Sequence, residues 1–387
     1  MDGSVGGGVV QDMTTSVDPV LSDPAAPGPG GPLARLKAAL AARVGARQAV
    51  RILRDSGILL ALIVLIIAGS LLSPHFMTSS NMANVFRNGV PVALLGIGMT
   101  FVILTAGIDL SVGSTLGVGA IAGAALLSQG MPWPAAVPLA LLAGAAVGAL
   151  NGLGITKGKL PPFIMTLGML VIARGVTMTY TGGQPVPLKE HAAAFAWLGS
   201  GSLLGVPVPV WILVVVGAAA AFTLRHTTFG RHVYAVGDNV EAARLSGINT
   251  NRVIFSVYVI SGVCAALAGL IIVSRVTSGT PRVGEGFELD AIAIVVIGGT
   301  SLFGGEGGVR GTLIGAAIVA LMNNLLNLLG VSPFSQQIVK GLIILGAVLL
   351  ERNSARSARA GRQRKAPGDP TSSSPRPDES SNPAVGG

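Results

Sequence analysis

Apolar residues lie in long runs that are separated by short polar stretches. These runs occupy residues 57–73, 89–107, 110–129, 135–156, 161–180, 209–224, 253–274, 288–303, 311–330 and 335–350. A helix that crosses a bilayer needs roughly 20 predominantly apolar residues, and most of the runs are close to that length. The pattern predicts an all-α polytopic membrane protein with about ten transmembrane helices.

The composition agrees with a chain that is embedded in lipid. Only 11% of the residues are charged and 50% are hydrophobic, whereas soluble domains carry roughly 25% charged residues. Glycine and alanine are frequent in the apolar runs, and small residues let helices approach closely in a bilayer. The composition argues against a soluble enzyme or DNA-binding protein and indicates a densely packed helical bundle in contact with membrane lipid.

The basic residues predict the orientation of the chain. The net charge of +9 is better explained by Lys and Arg on the cytoplasmic side of a membrane than by nucleic-acid binding. With about ten spans and the N-terminus inside, the inner side carries Lys157, Lys159, the basic residues of 225–252, Arg310, Arg352, Arg356 and Arg359, and the outer side keeps Arg87, Lys189, Arg275 and Arg282. This bias predicts an N-in/C-in protein without a nucleic-acid partner.

Two polar tails flank the apolar region. Residues 1–50 and 353–387 are poor in large apolar side chains and cannot bury enough surface to fold alone. We therefore expect a disordered N-terminal tail with a basic flank, a transmembrane domain at 51–352, and a disordered C-terminal tail. A polar loop at 225–252 interrupts the transmembrane domain on its cytoplasmic side.

Two stretches of the chain resemble each other. The first runs from Asp109 through a Gly/Ala-rich helix to Asn151 and a Pro-Pro-Phe triplet at 161–163. The second runs from Asp290 through another such helix to two asparagines and a Ser-Pro-Phe triplet at 332–334. An inverted repeat, as many transporters have, explains the likeness, and so does chance similarity between Gly/Ala-rich helices.

The segment TAGIDLSVGSTLGVG at 105–119 places a carboxylate between two apolar runs. A carboxylate at membrane depth is costly unless it is paired or reaches water. Asp109 or Ser111 either caps the following helix or forms part of a gate. Arg174, also in a span, either extends its head group to the interface or pairs with a carboxylate such as Asp109.

A few polar residues in or near the spans are candidates for a translocation path. Their alternative role is an interhelical hydrogen bond, which is common in membrane bundles. The candidates are Thr105, Asp109, Ser111, Asn151, Asn323, Asn324 and Gln336.

The cytoplasmic loop at 225–252 predicts a two-turn helix. Asp238 can cap it with Glu241 three residues later, and Gly247 is a natural stop after its last turn. An apolar side with Ala242, Leu245 and Ile248 suits either docking into a groove of another protein or an ordinary surface helix.

Four motifs give the chain its resemblance to a known family. They are AGIDLSVGS at 106–114, the segment NGLGITKGKLPPFIMTLG at 151–168, GRHVYAVGDNVEAARLSGI at 230–248 and AIAIVVIGGTSLFGGEGGVRGTLIGA at 291–316. In these motifs the chain resembles the permease subunits of bacterial ribose/xylose/arabinose-type ABC importers, in the branched binding-protein-dependent permease family. The likeness covers about Asn84 to Leu350.

This resemblance implies a fold and a set of partners. The fold is like that of type II ABC importers, with two permease chains, here expected as a homodimer, in the bacterial cytoplasmic membrane. An extracytoplasmic sugar-binding protein docks near 181–208 and 275–287. A coupling helix contacts the ATP-binding cassette subunit, and the residues implied there are Asp238, Glu241, Ala242, Ala243, Arg244 and Gly247.

Several motifs of enzyme chemistry are missing from the sequence. No GxxxxGK followed by Ser or Thr occurs, so the chain lacks the phosphate loop of that class of ATPase. The four histidines are scattered, so we expect no metal site. We expect a transport subunit rather than an enzyme, without a cofactor of its own, whose partner binds ATP and Mg.

The leading hypothesis is import of a pentose or hexose by alternating access, driven by a separate ATP-binding subunit. The alternatives are an ion-gradient-driven secondary sugar transporter or channel, and a membrane scaffold. Aromatic residues make up only 4% of the chain, so we expect no tight sugar site within the membrane. The sequence does not specify the sugar.

Overall fold

The computed structural model describes residues 57–188, 192–343 and 345–346, and these are predominantly helical. The predicted tails at 1–50 and 353–387 lie outside the described residues, as does Lys189. The helices are α1 Gly57–Leu72, α2 Ser79–Leu104, α3 Val112–Ser128, α4 Trp133–Thr156, α5 Pro162–Thr181, α6 Ala192–Ser200, α7 Val208–His226, α8 Thr228–Asp238, α9 Val240–Leu245, α10 Thr250–Val276, α11 Phe287–Ile297, α12 Val309–Leu328 and α13 at 333–343.

Within the residues that the structure describes, six helices are long and apolar enough to cross a membrane, namely α2, α4, α5, α7, α10 and α12. The prediction of a helical polytopic membrane protein is therefore confirmed. Helices α1 and α3 are apolar but shorter, and α11 has 11 residues, or about 17 Å at 1.5 Å per residue. The number of ten spans and the N-in/C-in orientation stay predictions.

The apolar run at 288–303 forms a shorter helix than its length predicts. Helix α11 ends at Ile297, and Gly299 follows with a positive φ of 84°. Glycine adopts this left-handed conformation without steric cost. Residues 298–308 consequently form a non-helical connection to α12.

Helix α10 lies at the centre of the bundle and packs against α2, α3 and α4. Its contact with α4 is made by glycines that face each other. A Cβ atom at Gly144 would lie 2.4 Å from the Gly262 carbonyl oxygen, and one at Gly262 would lie 2.2 Å from the Gly144 oxygen. The two backbones touch directly, as the abundance of small residues predicts.

The peripheral helices expose large apolar side chains. Val171 and Val176 of α5 and Val215 and Phe222 of α7 are all more than half exposed. Exposure of such a surface to water is unfavourable, whereas contact with lipid tails has no such free-energy cost. These faces are therefore suited to contact with lipid tails or another apolar surface rather than with water.

Two short antiparallel strand pairs lie in the connections between helices. Strand β1 (Val186–Pro187) pairs antiparallel with β4 (Ser278–Gly279), and β2 (Ser202–Leu203) pairs antiparallel with β3 (Val206–Pro207). The β1–β4 pair joins the α5–α6 connection to the α10–α11 connection. It holds together two loops that are far apart in the sequence.

Candidate functional site

The chain leaves helical geometry between α2 and α3. Ala106 has a φ of +60°, a left-handed conformation that is uncommon for a residue with a Cβ atom. Thr105 is buried, and its hydroxyl donates to the Val102 carbonyl at 2.8 Å. The predicted interruption around Asp109 is therefore present, as a non-helical segment at 105–111 that we call the α2–α3 break.

Asp109 is buried, with only 2% of its surface exposed. Both of its carboxylate oxygens accept hydrogen bonds. One oxygen accepts from the Ser111 amide at 3.0 Å and from the Ser111 hydroxyl at 2.6 Å. The other accepts from the hydroxyl of Ser261 on α10 at 2.9 Å. The predicted side-chain cap of α3 is wrong, because Asp109 binds the amide of Ser111, which lies before the first residue of the helix, and no side chain caps α3. Ser111 itself makes no side-chain cap bond.

Two further helices hold the α2–α3 break. Asn151 on α4 donates to the Ser111 hydroxyl at 2.8 Å. Thr166 on α5 donates to the Ile108 carbonyl at 3.2 Å. Three candidates from the sequence, Asp109, Ser111 and Asn151, thus form one hydrogen-bonded cluster within an apolar bundle, whereas the Thr105 hydroxyl bonds back to α2.

Sequence reasoning missed Ser261, Thr166 and Tyr258, which complete this cluster. The hydroxyl of Tyr258 donates to the Ile108 carbonyl at 3.4 Å, and it occupies the space that a side chain at Gly107 would need. These residues lie 58 to 152 positions away from their partners. No local pattern in the sequence predicts these contacts.

Removing the Ser261 hydroxyl tests how the buried carboxylate is stabilised. In the Ser261→Ala variant one oxygen of Asp109 loses its donor, and an unsatisfied buried polar group costs about 1–3 kcal/mol. We expect a melting temperature several degrees lower than that of wild type for the purified full chain in detergent. Ser256→Ala is the matched control, because that hydroxyl lies on the same helix and donates to an exposed backbone carbonyl. Equal melting temperatures for the two variants would contradict this assignment.

Arg174 does not pair with Asp109, so that pairing is wrong, and the carboxylates that interact with it electrostatically are Glu285 and Glu288. Its guanidinium donates to the carbonyls of Pro281 and Val283 at 2.6 and 2.9 Å. The same side chain reaches the Gly113 carbonyl at 3.5 Å. Arg174 therefore fastens α5 to the α10–α11 connection and to the start of α3.

The remaining path candidates lie apart from the α2–α3 break. Asn324 and Asn81 exchange two amide hydrogen bonds of 2.8 and 2.9 Å between α12 and α2. Gln336 donates to Asn327 at 2.7 Å. Asn323 and Asn324 line a cavity between α2, α11 and α12 that does not include the Asp109 cluster.

The short helix expected in the 225–252 loop is present as α9, but its cap is different. Asp238 is the last residue of α8 rather than the cap of α9. Asn239 caps α9, and its side-chain oxygen accepts from the Ala242 amide at 2.9 Å. The predicted Asp238 cap is wrong because α8 extends through Asp238, which leaves the neighbouring Asn to start the next helix.

The end of α9 agrees with the sequence. Gly247 has a φ of +83°, its amide donates to the Arg244 carbonyl at 3.0 Å, and the Ile248 amide donates to the Ala243 carbonyl at 3.1 Å. This pair of bonds is the Schellman arrangement that ends a helix at glycine. Gly247 is therefore the stop residue that the sequence predicts.

The exposed surface of α9 is made by both charged and apolar residues. Glu241 and Arg244 form an ion pair, and the hydrogen bond from Arg244 lowers the pKa of the Glu241 carboxyl below its usual range. Leu245 is 79% exposed and Val240 44%. Ala243, one of the implied coupling positions, is instead buried at 4% exposure and anchors α9 to the bundle. The sequence analysis did not include Val240 among the apolar residues of this helix.

The junction of α8 and α9 contacts the last residue of α2, directly before the α2–α3 break. A Cβ atom at Gly237 would lie 1.8 Å from the Leu104 carbonyl oxygen and 2.6 Å from the Gly305 amide nitrogen. The Gly305 amide donates to the same Leu104 oxygen at 3.0 Å. The end of α2, the α8–α9 junction and the α11–α12 connection therefore meet through backbone contacts.

Comparison with known proteins places the chain in a family. A family model described as branched-chain amino acid transport system / permease component matches residues 81–348. The ribose import permease protein RbsC of Escherichia coli (strain K12) is 50% identical over 295 residues, which are 76% of this chain and 92% of that protein. The ribose import permease protein RbsC of Haemophilus influenzae is 46% identical over 306 residues, 79% of this chain and 95% of that protein.

A more distant relative is named for a different sugar. The D-allose transport system permease protein AlsC of Escherichia coli (strain K12) is 39% identical over 291 residues, 75% of this chain and 89% of that protein. No solved structure matches the chain. The family model covers more than two thirds of this chain, and this chain covers more than two thirds of each of these relatives. The chain therefore belongs to the branched-chain amino acid transport system / permease component family.

Proposed function

We propose that the chain is the membrane permease subunit of an ABC importer for a monosaccharide. The observation that carries this proposal is the 50% identity to a ribose import permease over 92% of that protein's length. The chain is a transport subunit rather than an enzyme. The sequence has no phosphate loop, so in this proposal a partner subunit binds ATP and Mg and supplies the energy.

Ribose is the first substrate to test. The relatives at 45–50% identity are named for ribose import, and the D-allose permease at 39% identity is more distant. Both sugars are small neutral polyols. The proposed substrate class is therefore pentoses and hexoses, with ribose favoured.

The proposed topology has ten spans with both ends inside, in the cytoplasmic membrane of a bacterium. Helices α1, α3, α11 and α13 are the additional spans, and the shorter ones cross together with their non-helical neighbours. This arrangement places the 225–252 loop and Arg310 on the inner side. The basic residues of that loop then follow the positive-inside rule.

The proposed mechanism couples α9 to the α2–α3 break. Helix α9 docks into a cleft of the ATP-binding cassette subunit through its exposed residues, which include Glu241, Ala242 and Leu245. Because Gly237 and Leu104 are in backbone contact, a displacement of α9 is passed to residues 105–111. That segment, held by Asp109 and Ser261, acts as the gate element of alternating access.

Two further partners complete the proposed assembly. A sugar-binding protein docks on the outer side, on the connections near 181–208 and 275–287, which β1 and β4 tie together. A second copy of the permease forms a homodimer. An ion-gradient-driven carrier is not favoured, because the family and the similar relatives are permease components.

Variants of α9 test the coupling in cells that import D-ribose through this permease and its partners. Glu241→Lys places two cations in place of the Glu241–Arg244 ion pair, and Gly247→Trp adds bulk to an exposed turn. We expect either change to reduce ATP-dependent uptake of labelled D-ribose at least tenfold, about 1.4 kcal/mol, with normal membrane insertion.

Gly130→Trp is the matched control. Gly130 also has a positive φ, of 89°, and open space around it, but it lies in the α3–α4 turn. Normal uptake by the Glu241 and Gly247 variants would disprove the coupling role of α9. Wild-type uptake that survives ATP depletion and collapses with an uncoupler would support a gradient-driven carrier instead.

A further inference from the structure

The start of α3 lies halfway along the bundle. Gly262, near the middle of α10, contacts Gly144, near the middle of α4. The neighbouring Ser261 donates to Asp109, which lies just before α3. Because α4 and α10 are each long enough to cross a membrane, the start of α3 lies at mid-membrane depth in the proposed topology.

The connection between α10 and α11 reaches the same depth. A Cβ atom added at Gly113, in the first turn of α3, would collide with the carbonyl oxygen of Gly284. One added at Gly117, in the next turn, would lie 3.4 Å from the carbonyl oxygen of Val283. The chain therefore leaves the end of α10 and returns, over residues 281–288, to the middle of the bundle before α11 continues.

Four charged side chains gather on this connection and on α5. Arg174 of α5 is held by two backbone carbonyls of the connection, and its charge interacts with those of Glu285, Glu288 and Arg282. Arg282 and Glu285 are exposed. Within the part of the chain that the structure describes, neither of these two side chains makes a hydrogen bond or an ion pair. We call the four residues the charged wall.

Exposed charges at this depth require a polar environment. A charged side chain inside a membrane is costly unless it is paired or faces a water-filled cavity. Non-helical backbone at membrane depth is likewise tolerated where it is buried in protein or lines such a cavity. Because Arg282 and Glu285 are neither buried nor paired within the described chain, the exposed face of the connection fits the wall of an aqueous path better than a surface in lipid.

The chemistry of the charged wall suits a neutral polyol. Carboxylates accept hydrogen bonds and guanidinium groups donate them, so together they match the hydroxyl groups of a sugar. Hydrogen bonds to charged groups are stronger than those between neutral groups. The two cations and two anions balance, which leaves no net charge to favour an ionic ligand. Water competes for side chains that are this exposed, so a sugar is held weakly and released easily.

From this geometry we propose that the charged wall lines the sugar path at mid-membrane depth, and that Glu285 and Arg282 form hydrogen bonds with the hydroxyls of the passing monosaccharide. The proposal rests on the function proposed above and adds where along the chain the sugar passes. It is consistent with the expectation of no tight sugar site within the membrane. The surface proposed for the sugar-binding protein near 275–287 borders this path at its outer end.

Thiol accessibility tests whether this face meets water. Leu289 is 52% exposed at the start of α11, so Leu289→Cys places a thiol beside the charged wall and keeps its four side chains, while the native Cys264 is buried. The comparison is Val215→Cys on the apolar face of α7, where the side chain is 67% exposed. In the complete transporter in lipid nanodiscs, we expect a charged, membrane-impermeant thiol reagent to modify Leu289→Cys at least about tenfold faster, because it reacts with thiolates that water reaches.

The modified thiol also tests whether the wall lies on the path. We expect complete modification of Leu289→Cys to lower ATP-driven D-ribose uptake in proteoliposomes about tenfold, because the charged adduct obstructs the path. Gln129→Cys is the control, since Gln129 is exposed in the α3–α4 turn, and its modification should leave uptake unchanged. Equal modification rates for the Leu289 and Val215 thiols, or normal uptake after modification at Leu289, would overturn the proposal.

Uptake by charge variants tests the sugar contact and separates it from the proposed function. We expect Glu285→Leu and Arg282→Leu each to lower D-ribose uptake about tenfold, while ATP hydrolysis by the assembled transporter continues. Glu285→Gln keeps an acceptor of the same length and should lose less. Asn84→Leu, at an exposed position of α2, should transport normally. Normal uptake by both leucine variants of the wall would overturn the proposal and leave the importer intact, whereas absent uptake by the wild-type transporter would refute the importer itself.

Discussion

We expect the Asp290→Lys variant to lose its folded state in the membrane, and the Asp290→Lys/Lys340→Asp double variant to recover it. Lys340 on α13 donates to the Asp290 carboxylate on α11 at 2.9 Å, and the Asp290 side chain is only 7% exposed. Breaking a buried ion pair leaves an uncompensated charge and costs about 3–5 kcal/mol. The measurement is the amount of monodisperse, heat-resistant permease extracted in mild detergent.

Arg231→Asp is the control for charge reversal, because Arg231 is exposed on α8. It is expected to give wild-type yield and melting temperature. A double variant as unstable as Asp290→Lys alone would show that the two side chains do not act as a pair. A fully stable Asp290→Lys single variant would show that the carboxylate does not hold α11 to α13.

The second large effect is expected at Gly237. Its missing Cβ atom leaves room for the Leu104 carbonyl oxygen, which an added Cβ would approach to 1.8 Å. In Gly237→Ala the α8–α9 junction must therefore move away from the α2–α3 break, and such overpacking costs about 1–3 kcal/mol. We expect ATP-driven D-ribose uptake to fall at least tenfold, while ATP hydrolysis by the assembled transporter continues.

Gly168→Ala on α5 provides the comparison, because an added Cβ atom there meets nothing within 4 Å. It should transport like wild type. If Gly237→Ala also transports normally, the contact between α9 and the α2–α3 break does not carry the coupling. If Gly237→Ala loses uptake and hydrolysis together, the contact is needed for assembly rather than for transmission.

Features that are local in the sequence were predicted well. The apolar runs give the helical bundle, because lipid solvation acts on each run independently of its neighbours. Gly247 was identified as a helix stop because a left-handed residue after the last turn strongly favours glycine. The cap of α9 failed because Asp238 and Asn239 are adjacent and both suit a cap, and only the end of α8 decides between them.

Features that depend on distant residues were not predictable. Asp109 stood out as a carboxylate between apolar runs, but its partner Ser261 lies 152 residues away among many similar hydroxyls. Lys340 lies inside the apolar run at 335–350, where a lysine can extend its head group to the interface, so the sequence does not indicate Asp290 as its partner. The burial of Ala243 reflects how α9 lies on the bundle, which its own sequence does not encode.

The backbone contact of α4 and α10 makes α10 suited to act as a stiff lever. The backbones of α4 and α10 touch from Gly144 and Gly262 to Gly152 and Phe255, over about two helical turns, so we expect the two helices to tilt as one piece. Helix α10 has 27 residues, or about 40 Å, and it begins beside α9 and ends beside the β1–β4 strands. A tilt of about 10° at one end therefore shifts the other end by about 7 Å, so a small push on one face becomes a large movement on the other.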